Sequence, residues 1–240
     1  MSDYFAHQAY KGTLRLRLDD TNPSKEKEEY QDAIIEDLAL MGIKPDTLTY
    51  TSDYFDYLYD MAIRMIKEGH AYADDTDQET MRDQRFNGIA SARRDRTVEE
   101  NLRVFDEMKK GSEEGLKNCI RAKLSVDNPN KALRDPVIYR CNVDTPHHRT
   151  GTKWKIYPTY DFACPVVDSH EGVTHALRST EYTDRNVSAP HCEANLANNV
   201  PASIPMVLGY APAAPSPYVG LCTHELRPDL PVQAQVGQTC

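Results

Sequence analysis

Leu14, Leu16 and Leu18 alternate with Arg15 and Arg17, the two-residue period of a half-buried strand. Asp19 and Asp20 follow where that period stops. Asn22-Pro23 then offers an N-cap and a first-turn proline for a helix, in which Tyr30, Ile34, Leu38 and Met41 recur at helical spacing until Gly42. A second stripe of Phe55, Leu58, Tyr59, Ala62, Ile63 and Ile66 predicts a helix that begins at Ser52 and stops at Gly69. Residues 70–73 read as a short strand. Thr76 with Glu79, and Thr97 with Glu100, match the capping box and predict two more helix starts. Alternation over residues 119–126 and the run 136–140 predict strands. The main sheet is expected to resume at residues 154–157, ahead of a helix over 159–170 and a strand over 172–178. Residues 1–10 read as the end of a helix that stops before Lys11-Gly12.

The pattern is lost near residue 187. Residues 187–240 hold eight of the fifteen prolines and four charged residues, Glu193, Glu225, Arg227 and Asp229. This tail has no period and receives no assigned structure. A chain of 240 residues can bury a real core. Its net charge of −9 argues against a uniformly basic surface, although a local basic patch would still serve nucleic acid. The six cysteines, at 119, 141, 164, 192, 222 and 240, form no CxxC pair, which suits a reducing cytosol better than a disulfide scaffold. No signal-peptide core and no membrane-spanning apolar run is present, so a soluble, cytoplasmic chain is expected.

A strand, an acidic turn and a helix make a βα unit, and ligands gather at the carboxyl ends of strands in open α/β sheets. Asp19 and Asp20 sit at such an end, where they would also favour a helix N-terminus without any ligand. Arg93, Arg94 and Arg96 form a small basic loop that could meet phosphate or pair with neighbouring carboxylates. His147-His148 has no third ligand at metal-like spacing, so no metal site is expected there.

Several blocks in one order carry more. RLDDTNPSKEKEEY (17–30), TSDYFDYLYD (51–60), ASARRDRTVEENLRVF (90–105), CIRAKL (119–124), LRDPVIYR (133–140) and HHRTGTKWKIYPTYDFACPVVDSHEGVTHALRSTEY (147–182) resemble the catalytic domain of class I glutamyl- and glutaminyl-tRNA synthetases. The likeness covers about residues 4–186 and is strongest to the eukaryotic and archaeal glutamyl branch, including the glutamyl half of the fused glutamyl-prolyl enzymes. It implies an α/β fold: an incomplete Rossmann-like core with an α+β insertion that binds the tRNA acceptor end, and a Pro-rich irregular tail. The expected divisions are 1–72 and 154–186 for the catalytic domain, 73–153 for the insertion and 187–240 for the unmatched tail.

The resemblance implies ATP- and Mg²⁺-dependent activation of glutamate and its transfer to the 3′ end of tRNA(Glu). It implies no partnership with DNA or membrane, and possible assembly with other synthetases or a tRNA-binding cofactor protein. Asp19 would face the substrate ammonium group and Tyr160 would line the same pocket. The alternative for Tyr160 is a core ring with a satisfied hydroxyl. Arg178 would meet the substrate carboxylate, since a carboxylate in a dry pocket needs a cation and guanidinium offers two parallel hydrogen bonds. The alternative for Arg178 is a structural bridge to Glu171 or Asp168. Arg17 and Asp20 take positioning roles. Asp184 matches an acid that reads acceptor-stem base edges, and Arg93, Arg94, Arg96, Arg121 and Lys123 are candidate phosphate contacts. No catalytic residue is assigned, because the HIGH-type and KMSKS-type motifs are missing from the chain. An incomplete polypeptide, inactive alone, is expected. A catalytically silent acceptor-stem binding module and a glutaminyl enzyme remain as rivals.

Overall fold

A computed structural model describes Gln8, residues 11–25, 28–179, 204–208 and 219–224, the last two segments and most of 175–179 as backbone. Two sheets organise them. The first contains β1 (Thr13–Leu18), β2 (Thr47–Tyr50), β7 (His175–Ser179), β8 (Ile204–Leu208) and β9 (Val219–His224), in the order β2-β1-β9-β7-β8. β1 and β2 are parallel, as are β7 and β8, whereas β9 is antiparallel to both β1 and β7. The second is an antiparallel ribbon of β3 (Ala71–Asp74), β4 (Cys119–Ala122), β5 (Val137–Cys141) and β6 (Ile156–Pro158).

β1 is buried on both faces. Leu14, Leu16 and Leu18 pack under α1 (Glu28–Leu40) against Ile34, Ile35 and Leu38, while Arg17 on the opposite face is only 3 % exposed. The two-residue period is correct; the polar face is covered because carboxylates from another helix meet it. α1 itself begins several residues later than Asn22-Pro23 suggests. Lys25 N–H donates to the Asn22 carbonyl at 2.9 Å, so Asn and Pro occupy the first two positions of a β-turn, their other common use. Asn142 ties this turn down through Ser24 Oγ at 2.8 Å. Tyr30 and Met41, expected on the apolar stripe of α1, are about half exposed.

The larger core lies around the second sheet. α2 (Phe55–Lys67) buries Phe55, Leu58, Ala62, Met65 and Ile66 along one stripe, after a 3-10 turn over Thr51–Tyr54. α4 (Val98–Lys110) adds Val104, Phe105 and Met108, and α6 (Tyr160–His170) adds Phe162, Ala163, Val166 and Val167. Thr97 caps α4 by accepting from Glu100 N–H at 3.2 Å, as the capping box predicts. At α3 (Gln78–Asn87) the cap falls one residue later, on Asp77, because Thr76 is drawn back to Asp74 at 2.6 Å. Residues 154–157 do not return the chain to the first sheet: β6 pairs with β5 instead. Period alone identifies a strand, not its partner. β8 and β9 fall in the stretch that carries no pattern, and the remainder of that tail lies outside the described residues.

The short helix α5 (Glu113–Leu116) packs so closely on α4 that a Cβ at Gly115 would run into the Glu107 carbonyl, part of α4's own backbone. Gly115→Ala should therefore cost about 1–3 kcal/mol by overpacking. A thermal melt reads it as a lower midpoint; an unchanged midpoint would show that α5 can move away freely.

Candidate active site

The two aspartates after β1 meet different fates. Asp20 is fully buried and its Oδ1 accepts Ser52 N–H at 2.7 Å. Its Oδ2 faces His147 Nε2, His148 Nε2 and Arg149 Nη1 at 3.7, 3.9 and 3.8 Å. His147 Nδ1 accepts the N–H groups of Arg149 and Thr150 at 3.1 and 3.2 Å, so its proton sits on Nε2, which donates to the Asp20 carbonyl at 2.7 Å. Arg149 also reaches Asp53 at 2.8 Å and lies over the Tyr50 ring. Asp20 thus fastens the 147–151 hairpin to the end of β1, which fits a positioning role.

Asp20 Oδ2, although ringed by the histidines and Arg149, makes no hydrogen bond, and the same holds for one oxygen of Asp19, its buried Oδ1. Burial pushes the Asp19 carboxyl up to about 6, against the lowering effect of the Arg17 charge and a Thr51 hydroxyl hydrogen bond. A buried acceptor in that state calls for a cationic donor.

Beneath it lies an ionic network. Arg17 donates to Glu171 at 2.8 Å and pairs with Asp168, both at the carboxyl end of α6. Arg15 reaches Glu171 at 3.1 Å, and Tyr54 donates to the same carboxylate at 2.7 Å. Arg17, Asp168 and Glu171 are each at most 9 % exposed. Spacing did not reveal this network, although Asp168 and Glu171 stand one helical turn apart, a usable signal beside an Arg-x-Arg strand. These are also the carboxylates considered as structural partners for Arg178.

Tyr160 opens α6 directly after Thr159, whose Oγ1 donates to the Val137 carbonyl at 2.8 Å. The Arg178 backbone lies in β7; its side chain, and the whole of Asp184, fall outside the described residues. β1 and β7 each run antiparallel to β9, so they point the same way. Asp19 and Arg178 therefore sit toward the same carboxyl edge of the sheet.

The candidate phosphate contacts are placed elsewhere, each with an internal partner. Arg93 grips Asp75 with two bonds of 2.7 and 3.1 Å and holds that carboxyl below its usual range. Arg94 pairs with Asp135 at 2.7 Å, Arg96 with Asp75 at 3.4 Å and Lys123 with Asp95 at 2.9 Å. Arg121 is buried, bound to Asp74 at 2.7 Å and to the Asp135 carbonyl at 2.8 Å. Its geometry is that of a core ion pair, not a surface contact. Asp135 collects Tyr72, Arg94 and Leu124 N–H on one carboxylate and holds the loop to the second sheet.

The comparisons with known proteins agree on one family. The family model described as tRNA synthetases class I (E and Q), catalytic domain, matches residues 1–206. The chain belongs to this family. It is 67 % identical over 187 residues to the cytoplasmic glutamate–tRNA ligase of Saccharomyces cerevisiae, covering 78 % of this chain and 26 % of that protein. It is 53 % identical over 186 residues to the bifunctional glutamate/proline–tRNA ligase of Drosophila melanogaster, covering 78 % of this chain and 11 % of that one. The chain thus spans about a quarter or less of these relatives' lengths. A glutamate tRNA ligase from Elizabethkingia meningosepticum, solved with its amino acid, shares the fold with a TM-score of 0.59 at 19 % identity, over 87 % of this chain and 44 % of that one.

Two stability changes follow. Removing one member of a buried pair leaves the other charge uncompensated, so Asp168→Asn should cost about 3–5 kcal/mol in urea unfolding; a loss near zero would mean Arg17 finds another partner. Asp19→Asn should act oppositely. Its folded pKa lies above the unfolded value, so ionised Asp19 penalises the fold above pH 6 and not below pH 4. The variant should gain about 2–3 kcal/mol at pH 7.5 and nothing at pH 3.5. A gain that does not depend on pH would point to a cause other than charge.

Proposed function

We propose that this chain carries the glutamate- and tRNA-end-binding part of a glutamate–tRNA ligase, acting in the cytoplasm. The observation that carries the reading is Asp19 at the carboxyl end of β1, whose Oδ1 is a buried acceptor without a hydrogen-bond partner. An α-ammonium group would supply its missing donor. Tyr160 closes the same pocket, and Arg178, on the same edge of the sheet, meets the side-chain carboxylate of the substrate. A glutamine amide there would leave the guanidinium uncompensated, which favours glutamate over glutamine.

ATP with Mg²⁺ is the co-substrate this reading requires: the amino acid's carboxylate displaces pyrophosphate, and the 3′-terminal hydroxyl of tRNA(Glu) then displaces AMP. No described residue is assigned to the phosphates or the ion. The chain's own residues bind and orient: Asp19 fixes the ammonium, Arg17 and Asp20 hold the end of β1, and Asp184 reads the acceptor stem. Arg93, Arg94, Arg96 and Lys123 shape the insertion that receives the RNA, and the surface ones among them can exchange a carboxylate for a phosphate. Names of relatives that join glutamate and proline activities are consistent with work inside a larger synthetase assembly. Among the described residues no helix is long and apolar enough to cross a membrane.

The test is glutamate binding by calorimetry with tRNA(Glu) and a non-hydrolysable ATP analogue present, alongside charging with labelled glutamate. Only ionised Asp19 attracts ammonium, so affinity should fall about tenfold per unit below pH 6 and level off above it. Asp19→Asn should abolish that dependence, and Arg178→Ser should erase the preference for glutamate over glutamine. Equal binding of both amino acids by the unaltered chain, or none of either, would overturn the reading.

A further inference from the structure

The hairpin over residues 147–151 is closed by two backbone bonds between His147 and Gly151, of 2.9 and 2.7 Å. The left-handed backbone of Gly151, at φ +60°, permits so tight a return. His147 folds its ring back onto this turn and takes the Arg149 and Thr150 amides on Nδ1. The one proton left, on Nε2, points at the Asp20 carbonyl 2.7 Å away. The residue is 2 % exposed. Tyr157 stacks on its ring at 5.9 Å and 12°, and Phe55 meets it edge-on at 5.4 Å.

What separates this imidazole from core filling is the identity of the segments it touches. The Asp20 carbonyl belongs to the residue directly after Asp19. Tyr157 stands in β6, three residues before Tyr160. Phe55 opens α2 just past the turn whose Thr51 hydroxyl bonds Asp19 and whose Ser52 N–H bonds Asp20. Asn142 and Thr145, from the loop before the hairpin, hold Ser24 in the turn after β1 at 2.8 and 3.4 Å. The charged and titratable groups facing the ring are Asp20, His148 and Arg149.

We propose that His147 is a positioning residue of the amino-acid pocket. Through the Asp20 carbonyl it sets the end of β1 that carries Asp19, and through Tyr157 it spaces that end from the strand leading to Tyr160. A site of this kind works only while its groups are held in place by partners that do not touch the ligand. The pocket is that of the proposed glutamate reading, on which the identity of the ligand rests; the link from His147 to Asp19 stands without it.

The experiment is nuclear magnetic resonance of the full chain with isotope-labelled histidine rings and aspartate carboxyls, joined to the glutamate calorimetry above. In the unaltered chain, ionisation of Asp19 near pH 6 should shift the His147 Nε2–H resonance, and Asp19→Asn should abolish that shift. Two variants divide the ring's functions: Asn keeps an acceptor in the place of Nδ1 and lacks the Nε2 donor, whereas Gln keeps the donor. His147→Asn should loosen the end of β1 into water, lowering the Asp19 midpoint to about 5 or less. It should weaken glutamate binding about tenfold, the loss of one hydrogen bond, and leave tRNA affinity unchanged. His147→Gln should restore both the midpoint and the glutamate affinity. Equal losses in the two variants with an unmoved Asp19 midpoint would reduce His147 to a stabiliser of the fold and overturn the assignment. A His147 resonance indifferent to Asp19 would overturn it too, and that measurement needs no variant at position 147 to fold. Absent glutamate binding, with the resonance still following Asp19, would sink the ligase reading and leave the positioning of Asp19 standing.

Discussion

The junction between β1 and α6 is where the structure is most constrained. Two arginines of one strand meet two carboxylates at the end of one helix, with Arg17, Asp168 and Glu171 buried and Arg15 at the edge. Buried ions are tolerated only when each finds its counter-charge in good geometry. Glu171 satisfies that with three donors: Arg15, Arg17 and the Tyr54 hydroxyl. Whatever Asp19 binds is held on the strand so anchored, and Tyr160 stands at the other end of the helix that anchors it.

The pair Asp19-Asp20 shows how neighbouring residues of one type divide their work. Asp20 points inward: its Oδ1 accepts from Ser52, while its Oδ2 lies among the histidine hairpin and Arg149 without a hydrogen bond. Asp19 likewise keeps one buried oxygen that the protein does not satisfy, beside a hydrogen bond from Thr51 and the charge of Arg17. Folded alone, the chain bears the cost of that burial, which is what pushes the Asp19 carboxyl up. The site is therefore held at a disadvantage that protonation, or a cation brought close, would relieve.

Much of this was legible in the sequence, for identifiable reasons. The strand-turn with its two aspartates, the stripe of α2, the Thr97 cap and α6 all follow from period and cap chemistry that tertiary contacts reinforce. The misses have equally specific causes. Asn22-Pro23 serves a β-turn as readily as a helix start, and Thr76 is captured by Asp74 two residues before it. β2 is four residues long, too short to show alternation against its loop, and the pairing of β6 with β5 lies in register, which period does not encode. The inward role of Arg17 was invisible because its partners lie more than 150 residues away. The family resemblance supplied Asp19, Tyr160 and Arg178 as one set; spacing alone would have left Asp19 a helix-cap residue.

Sequence separation also divides the molecule into two kinds of contact. The second sheet and its helices draw their core from one uninterrupted run between Phe55 and Val167. Within it β3 finds β4, β4 finds β5, and β5 finds β6 in turn. The bonds from Arg17 to Asp168 and Glu171 instead close loops of 151 and 154 residues. Loop closure grows costlier with length, though only logarithmically for a flexible chain, and here the intervening run is packed into a core of its own. Because α6 is the last helix of the run and also holds the carboxylates, the packed run brings both counter-charges to β1 on one helix. The unit built around the second sheet thus acts as the template on which β1 is docked, and the setting of Asp19 depends on a helix that belongs to the other core.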